Sequence, residues 1–148
     1  MGDQLRYAGI MLLAAIGIPL LAALNARLGA RIGAPFAAAT VLFVVAFLTA
    51  AAVMLVSGQG RALASLPSQP WYLFLGGLFV AYYVLSVTVV APRFGIGNAV
   101  FCVLLGQMLS AAAIDQFGLF GAMERHLTVT RAMGLGAMVA GLALIQLG

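Results

Sequence analysis

Five long apolar runs divide this chain of 148 residues and constrain its fold more than any motif does. The hydrocarbon core of a bilayer, about 30 Å thick, is crossed by an α-helix of about 20 residues. Only 7% of the residues are charged, against roughly 25% in a soluble domain, so lipid must cover most of the surface. We therefore predict an all-α integral membrane protein with a single domain over residues 1–148. Its five transmembrane helices are predicted at about residues 7–24, 34–56, 71–91, 97–117 and 130–147.

The few remaining polar residues exclude several classes of protein. The net charge of +4 comes from seven arginines scattered singly among apolar runs, which is unlike the basic patch of a nucleic-acid-binding protein. A single cysteine, Cys102, and a single histidine, His126, are too few for a cysteine or histidine metal cluster. The three acids lie in three different segments, His126 has no nucleophile near it in the sequence, and no glycine-rich phosphate-binding loop follows a strand. We therefore predict no enzyme, no cofactor, no metal and no nucleic-acid partner.

The arginines are almost evenly divided between the two sides of the membrane. Five spans place four on the N-terminal side and three on the other, namely Arg6, Arg61, Arg125 and Arg131 against Arg27, Arg31 and Arg93. Orientation follows the imbalance of Lys and Arg between short loops, and here that imbalance is small. Two interpretations stay open. Either one unequal loop settles a single orientation, or the chain inserts both ways and pairs antiparallel with itself.

The last apolar run is rich in small residues, which allow helices to approach closely in lipid. These residues predict either a dimer seam or tight packing within one protomer, and they are Gly134, Gly136, Ala137, Ala140 and Gly141. Many transporters surround a site at the membrane midplane with two inverted repeats. An antiparallel homodimer would supply such a repeat from one gene product.

Several short motifs, taken in order along the chain, resemble the YdcZ family, a five-helix branch of the EamA-like drug/metabolite transporters. The motifs are Asn25-Ala-Arg-Leu-Gly29, Ala34-Pro-Phe-Ala37, Trp71 with Gly76-Gly77, Pro92-Arg-Phe-Gly95, Gly106-Gln107, Ile114-Asp-Gln-Phe-Gly118 and Thr130-Arg-Ala-Met-Gly134 with Gly141. The resemblance implies a bacterial inner-membrane protein, half the size of ten-helix transporters and working as a dimer. It also implies a distant kinship to small multidrug resistance proteins.

The chain departs from the pattern of that family at three positions. Leu21 and Gln116 stand where the family often has Gln and His, and Val80 replaces a usual glycine. The carboxylate inside the first helix that marks small multidrug resistance proteins is also missing. The resemblance therefore does not extend to their proton-coupled cation mechanism.

Polar side chains inside apolar runs are the candidates for binding a small-molecule substrate, because such groups are costly in lipid. The six candidates are Gln107, Tyr82, Tyr83, Ser86, Ser110 and Asn25. Gln107 lines a central cavity or makes an interhelical hydrogen bond, and the tyrosines line that cavity or simply fill space. Asn25, near the end of the first run, caps that helix or reaches into the cavity.

Asp115 is the only acid within an apolar run, two residues before that run ends. It is predicted to form an interfacial salt bridge or a helix-capping contact, in preference to a role in proton coupling. In an antiparallel dimer, Arg93 of the second copy would reach the same side of the membrane. Asp115 and Arg93 are therefore also candidates for an ion pair or a coupling site.

Together these features favour a secondary transporter that exports small organic metabolites or drugs across the inner membrane by alternating access. Two other functions fit the same residues. A small dual-topology channel could use the same midplane groups as a pore. A non-transporting accessory subunit could use the glycine-rich last helix to bind another membrane protein.

Overall fold

The computed structural model describes residues 2–147, apart from the side chain of Gln146, and every regular element in that part of the chain is helical. The five α-helices are α1 (Gly2–Ile32), α2 (Pro35–Val56), α3 (Gly76–Phe94), α4 (Ile96–Phe117) and α5 (Val129–Leu147). Short 3-10 helices occupy Gln59–Ser68, Trp71–Leu75 and Leu119–Gly121. The chain divides into two compact units, the first ending at Arg93 and the second beginning at Phe94.

Among the described residues, four helices are long and apolar enough to cross a membrane, and they are Gly2–Ile32, Pro35–Val56, Trp71–Phe94 and Ile96–Phe117. The fifth apolar helix, Val129–Ile145, is shorter. The structure thus agrees with the predicted helical membrane protein. That the fifth helix crosses the membrane stays a prediction. Helix α1 extends beyond the predicted span at both ends and passes through Pro19 as one helix.

The large apolar side chains face outward. Leu13 is 72% exposed and Phe47 is 68% exposed, whereas the buried apolar residues are alanines and valines. A soluble protein of this size would bury its largest apolar side chains and expose charges. The outward face of these helices therefore fits lipid.

The turn between α1 and α2 is compact because three residues supply the backbone that it needs. Gly33 adopts φ 65°, a left-handed conformation that glycine tolerates after the end of a helix. The Ala34 N–H then donates to the Gly29 carbonyl at 3.1 Å, which satisfies one of the last carbonyls of α1. Pro35 follows as the first residue of α2, where its missing N–H is harmless.

Small residues let α1 and α2 approach closely. Ala22, Ala26 and Gly29 share one buried face of α1, and Ala38 and Ala39 of α2 are 0% exposed. A Cβ atom at Gly29 would lie 3.0 Å from the Pro35 Cα. In lipid such close van der Waals packing replaces the hydrophobic drive for association.

Helix α3 buries one stripe of residues, with spacings of three and four. These are Val84, Val87, Thr88 and Ala91. In the second unit, α4 ends at Phe117, and the left-handed backbone of the next residue, Gly118, turns the chain toward α5. These two arrangements place the polar side chains that bear on function.

Candidate functional site

A buried polar link in the first unit joins α1 to α3. The Asn25 Nδ2 donates to the Thr88 Oγ1, and the Thr88 hydroxyl donates in turn to the Val84 carbonyl at 2.7 Å. Asn25 is 5% exposed and Thr88 is 2% exposed, so both side chains are shielded from lipid and from water. Because a polar group buried without a partner is costly, this pairing fixes the depth of α1 against α3.

The position of Asn25 bears on both of its predicted roles. It lies seven residues before the end of α1 at Ile32, so it is not at the capping position. It is the polar member of the lining of an otherwise apolar cavity of about 360 Å³, formed with Leu21, Leu24, Leu28, Val41, Leu42 and Val45. The amide itself is engaged with Thr88, which makes a structural role the simplest account of Asn25.

Thr88 is the partner that the sequence analysis missed, although a signal for it exists. Asn25 lies seven residues before the end of α1, and Thr88 lies six residues before the end of α3. Two helices that cross a membrane in the same direction place such residues at nearly equal depth. Matching polar residues by depth, rather than by distance from the midplane, would have found this pair.

The other candidates on α3 lie away from its buried stripe. At 3.6 residues per turn, Tyr82 and Ser86 fall on the opposite side of the helix from Val84, Val87 and Thr88. Tyr82 is 72% exposed, while Tyr83 and Ser86 are half-buried. Tyr82 therefore presents an aromatic ring and a hydroxyl on a surface that this chain leaves largely uncovered.

Gln107 and Ser110 of the second unit are exposed in the same way. Gln107 lies eleven residues after the start of α4 and ten before its end, at the middle of the helix. The face of α4 that meets α5 carries Phe101, Leu104 and Leu105, and Gln107 and Ser110 lie outside it. These two side chains are thus not consumed by packing between α4 and α5.

The predicted dimer seam divides between two faces of α5. Gly141 is half-buried and lines a cavity of about 180 Å³ against α4, together with Met138, Leu142 and Ile145. Gly136 and Ala140 are exposed and lie on the opposite face of the helix. Gly134 and Ala137 are exposed as well. Part of the small-residue set thus serves packing within the chain, and part remains exposed.

Asp115 is held at the end of α4 by two contacts from the following segment. Its Oδ2 accepts a hydrogen bond from the Arg131 guanidinium at 2.9 Å, forming a salt bridge with the first turns of α5. The Asp115 backbone carbonyl accepts from the Arg125 N–H at 2.8 Å. Asp115 is thus in a salt bridge whose partner is Arg131 of the same chain.

Gln116 also contacts the segment that connects α4 to α5. Its Oε1 accepts from the Leu127 N–H, and its Nε2 lies 3.4 Å from the His126 Nδ1. Arg93, the other candidate for pairing or coupling, belongs to the first unit, where it lines a cavity with Thr88. Within residues 2–147, no three side chains of His, Cys, Asp or Glu are grouped so as to hold a metal ion.

Comparison with protein families gives one match over nearly the whole chain. The family model described as "Putative inner membrane exporter, YdcZ" matches residues 6–144. Comparisons with curated proteins and with solved structures found no match. The matched range includes every residue of the polar link, the salt bridge and the exposed candidates on α3 and α4.

We predict that the Asn25–Thr88 link contributes to stability. Thr88→Val should lower the free energy of unfolding by about 1 kcal/mol, because the Asn25 amide loses its acceptor. Adding Asn25→Leu should recover part of that loss, since no buried donor then remains unpaired. Thermal unfolding of the purified protein in detergent measures both effects.

The control for that experiment is Thr40→Val. The Thr40 hydroxyl bonds to the Phe36 carbonyl of its own helix and is exposed, so this variant should unfold like the wild type. Equal losses in Thr88→Val and Thr40→Val would show that the link contributes nothing specific.

The Asp115–Arg131 salt bridge should also be measurable as a coupling energy. A double-mutant cycle with Asp115→Asn and Arg131→Gln should give about 0.5–1 kcal/mol in detergent, as expected for a partly exposed pair. Glu124→Gln, an acid in the same connection, serves as the control and should show no coupling to Arg131. Zero coupling between Asp115 and Arg131 would show that their contact does not stabilise the connection between α4 and α5.

Proposed function

The chain belongs to the YdcZ family, and we propose that it is a secondary exporter that moves small organic solutes by alternating access. It is a multi-pass protein of the inner membrane, and the description of its family is that of an inner-membrane exporter, not of an enzyme. The observation that carries the proposal is the set of polar side chains left exposed at mid-depth on otherwise apolar helices. Gln107 is the central member of that set.

The cost of exposing these groups to lipid supports a solute path. Transfer of an amide from water to hydrocarbon without a hydrogen-bond partner costs roughly 4–8 kcal/mol. Gln107 lies at the middle of α4, and Tyr82 lies eleven residues into the apolar helix Trp71–Phe94. Their side chains are therefore expected to face a hydrated path or another polar surface, and we propose the same for Tyr83, Ser86 and Ser110.

The same reasoning leads us to propose an antiparallel homodimer as the working unit. The nearly even division of arginines, four against three, weakens the usual signal for a single orientation. Gly136 and Ala140 offer an exposed small-residue face for a second copy of α5. Two copies in opposite orientations would surround the path with an inverted repeat, as in larger transporters.

The fifth helix must also cross the membrane for this arrangement. Its apolar part, Val129–Ile145, has a length of about 26 Å at 1.5 Å per residue, a little less than the roughly 30 Å hydrocarbon core. A mismatch of that size is accommodated by local thinning of the bilayer or by oligomerisation. A dimer seam on α5 would accommodate the mismatch by oligomerisation.

Transport should depend on Gln107. In proteoliposomes containing the purified protein, Gln107→Leu should slow solute flux roughly tenfold, the effect of about 1.4 kcal/mol on a barrier. Gln69→Leu, in the polar connector before α3, removes the same amide outside the apolar spans and should leave the flux unchanged. The flux of a broad panel of labelled metabolites and drugs is the measurement.

Two results would contradict the exporter. The first is that no solute of the panel moves in the wild-type protein. The second is a current in electrical recordings that far exceeds a carrier cycle, whose gating steps take microseconds to milliseconds or longer. That second result would identify a channel.

Dual orientation predicts equal labelling from the two sides of the membrane. A single cysteine introduced as Ser65→Cys in a Cys102→Ala background lies in the exposed 3-10 helix Gln59–Ser68. A membrane-impermeant maleimide should label half of the molecules in sealed cells and all of them after permeabilisation. Labelling of all or none of the molecules in sealed cells would establish one fixed orientation and exclude the antiparallel pair.

A further inference from the structure

A second cavity lies within the first unit, where α1 ends, α2 begins and α3 ends. Its volume is about 270 Å³, and its walls include Gly29 and Gly33 from the end of α1, Pro35 from α2, and Thr88 and Arg93 from α3. Glycines, alanines and prolines supply most of the lining. Because these residues have short or rigid side chains, the space is kept open rather than filled.

Arg93 is the charged side chain of that lining, and no acid of the first unit is near it. The only acid between residues 2 and 93 is Asp3, near the start of α1. Asp3 is separated from the cavity by about 40 Å along α1, at 1.5 Å per residue, several times the Debye length of about 8 Å. The guanidinium therefore supplies a positive charge that its own unit does not neutralise.

Two neighbouring features add to the positive charge near the cavity. Arg27 and Arg31 are exposed in the last two turns of α1, at the same end of the unit. Helix α2 begins at Pro35 without a side-chain cap, so the positive end of its dipole lies at the cavity. The opposing dipole ends of α1 and α3 are complemented by Arg31 and Arg93 in their last turns. The net charge around this cavity is therefore positive.

The hydroxyl of Thr88, the other polar side chain of the lining, already has its hydrogen-bond partners. Arg93 is therefore the residue that selects the ligand. Thr88 donates to the Val84 carbonyl and accepts from Asn25, so its hydroxyl has no further proton to offer. A guanidinium presents several N–H donors in a planar fork that fits a carboxylate or a phosphate. The remaining lining suits a small apolar body attached to that group.

We propose that this cavity binds the anionic group, a carboxylate or a phosphate, of a small molecule through Arg93. At about 30 Å³ per water molecule, 270 Å³ holds roughly nine water-sized groups, so the ligand is a small organic anion rather than a large drug. As a substrate assignment, the inference rests on the exporter function proposed above. As a binding site, it stands independently of transport. A lipid headgroup carries the same chemistry and is the second possible source of the anion.

The experiment measures binding of two probes, inorganic phosphate and a four-carbon dicarboxylate, to the full chain in nanodiscs of phosphatidylcholine alone. Isothermal titration gives the affinity without any transport step. Arg93→Gln should weaken binding about 10- to 100-fold, the usual effect of losing a charge-assisted hydrogen bond. Ala30→Leu keeps every charge but fills the cavity from the α1 side, and it should weaken binding as well.

Arg31→Gln is the matched control. Arg31 is in the last turn of its helix at the same end of the unit and loses the same charge, but it does not line the cavity. The affinity of this variant for each probe should stay within about threefold of the wild-type affinity, as expected for the loss of a screened charge nearby. Equal weakening in Arg31→Gln and Arg93→Gln, or unchanged binding in Arg93→Gln, would overturn the site.

A second arm separates the two sources of the anion. Native mass spectrometry of protein from nanodiscs with phosphatidylglycerol shows whether that lipid is retained in an Arg93-dependent way. Retained lipid together with no binding of either probe would keep the anion site and overturn the solute assignment. Probe binding without transport would refute the exporter alone, and transport with binding unaffected by Arg93→Gln would refute this inference alone.

Discussion

The close approach of α1 and α2 is the contact on which the first unit depends. In lipid, apolar side chains gain nothing by leaving the solvent, so helices associate through dense packing of small residues. Gly29 allows Pro35 to lie against α1, and Ala38 and Ala39 are completely buried beside it. The same contact places the start of α2 at the end of α1. The cavity lined by Arg93 exists because these small residues hold the helix ends close together without filling the space between them.

The polar side chains fall into two groups according to whether packing within the chain uses them. Asn25 and Asp115 are engaged, the first with Thr88 on α3 and the second with Arg131 on α5. Both fasten one helix to another, which accounts for a polar group in or near a span without any role in transport. Gln107 and Tyr82 are exposed at mid-depth and are not part of such a fastening. The unsatisfied polarity of these two residues is the physical basis of the proposed solute path.

The two proposed sites complement each other in an antiparallel dimer. The cavity lined by Arg93 lies at the end of its unit, whereas the exposed side chain of Gln107 lies at the middle of α4. Two copies in opposite orientations would present one Arg93 cavity at each membrane surface. A small organic anion would then meet a positive entry on either side, which suits a carrier that opens to each side in turn.

The sequence alone determined the membrane class, the approximate positions of the helices and the family. Length, apolarity and the scarcity of charge leave few alternatives when the surrounding medium is lipid. It also predicted that Asp115 forms a pair, because an acid at the end of a span needs a partner. Which partners meet was decided by tertiary structure. Thr88 reaches Asn25, and Arg131 reaches Asp115, because helix register and the turn after Gly118 set these distances. The cavity beside Arg93 could not be read from the sequence either, since it is formed by three helix ends and by the absence of side-chain volume between them.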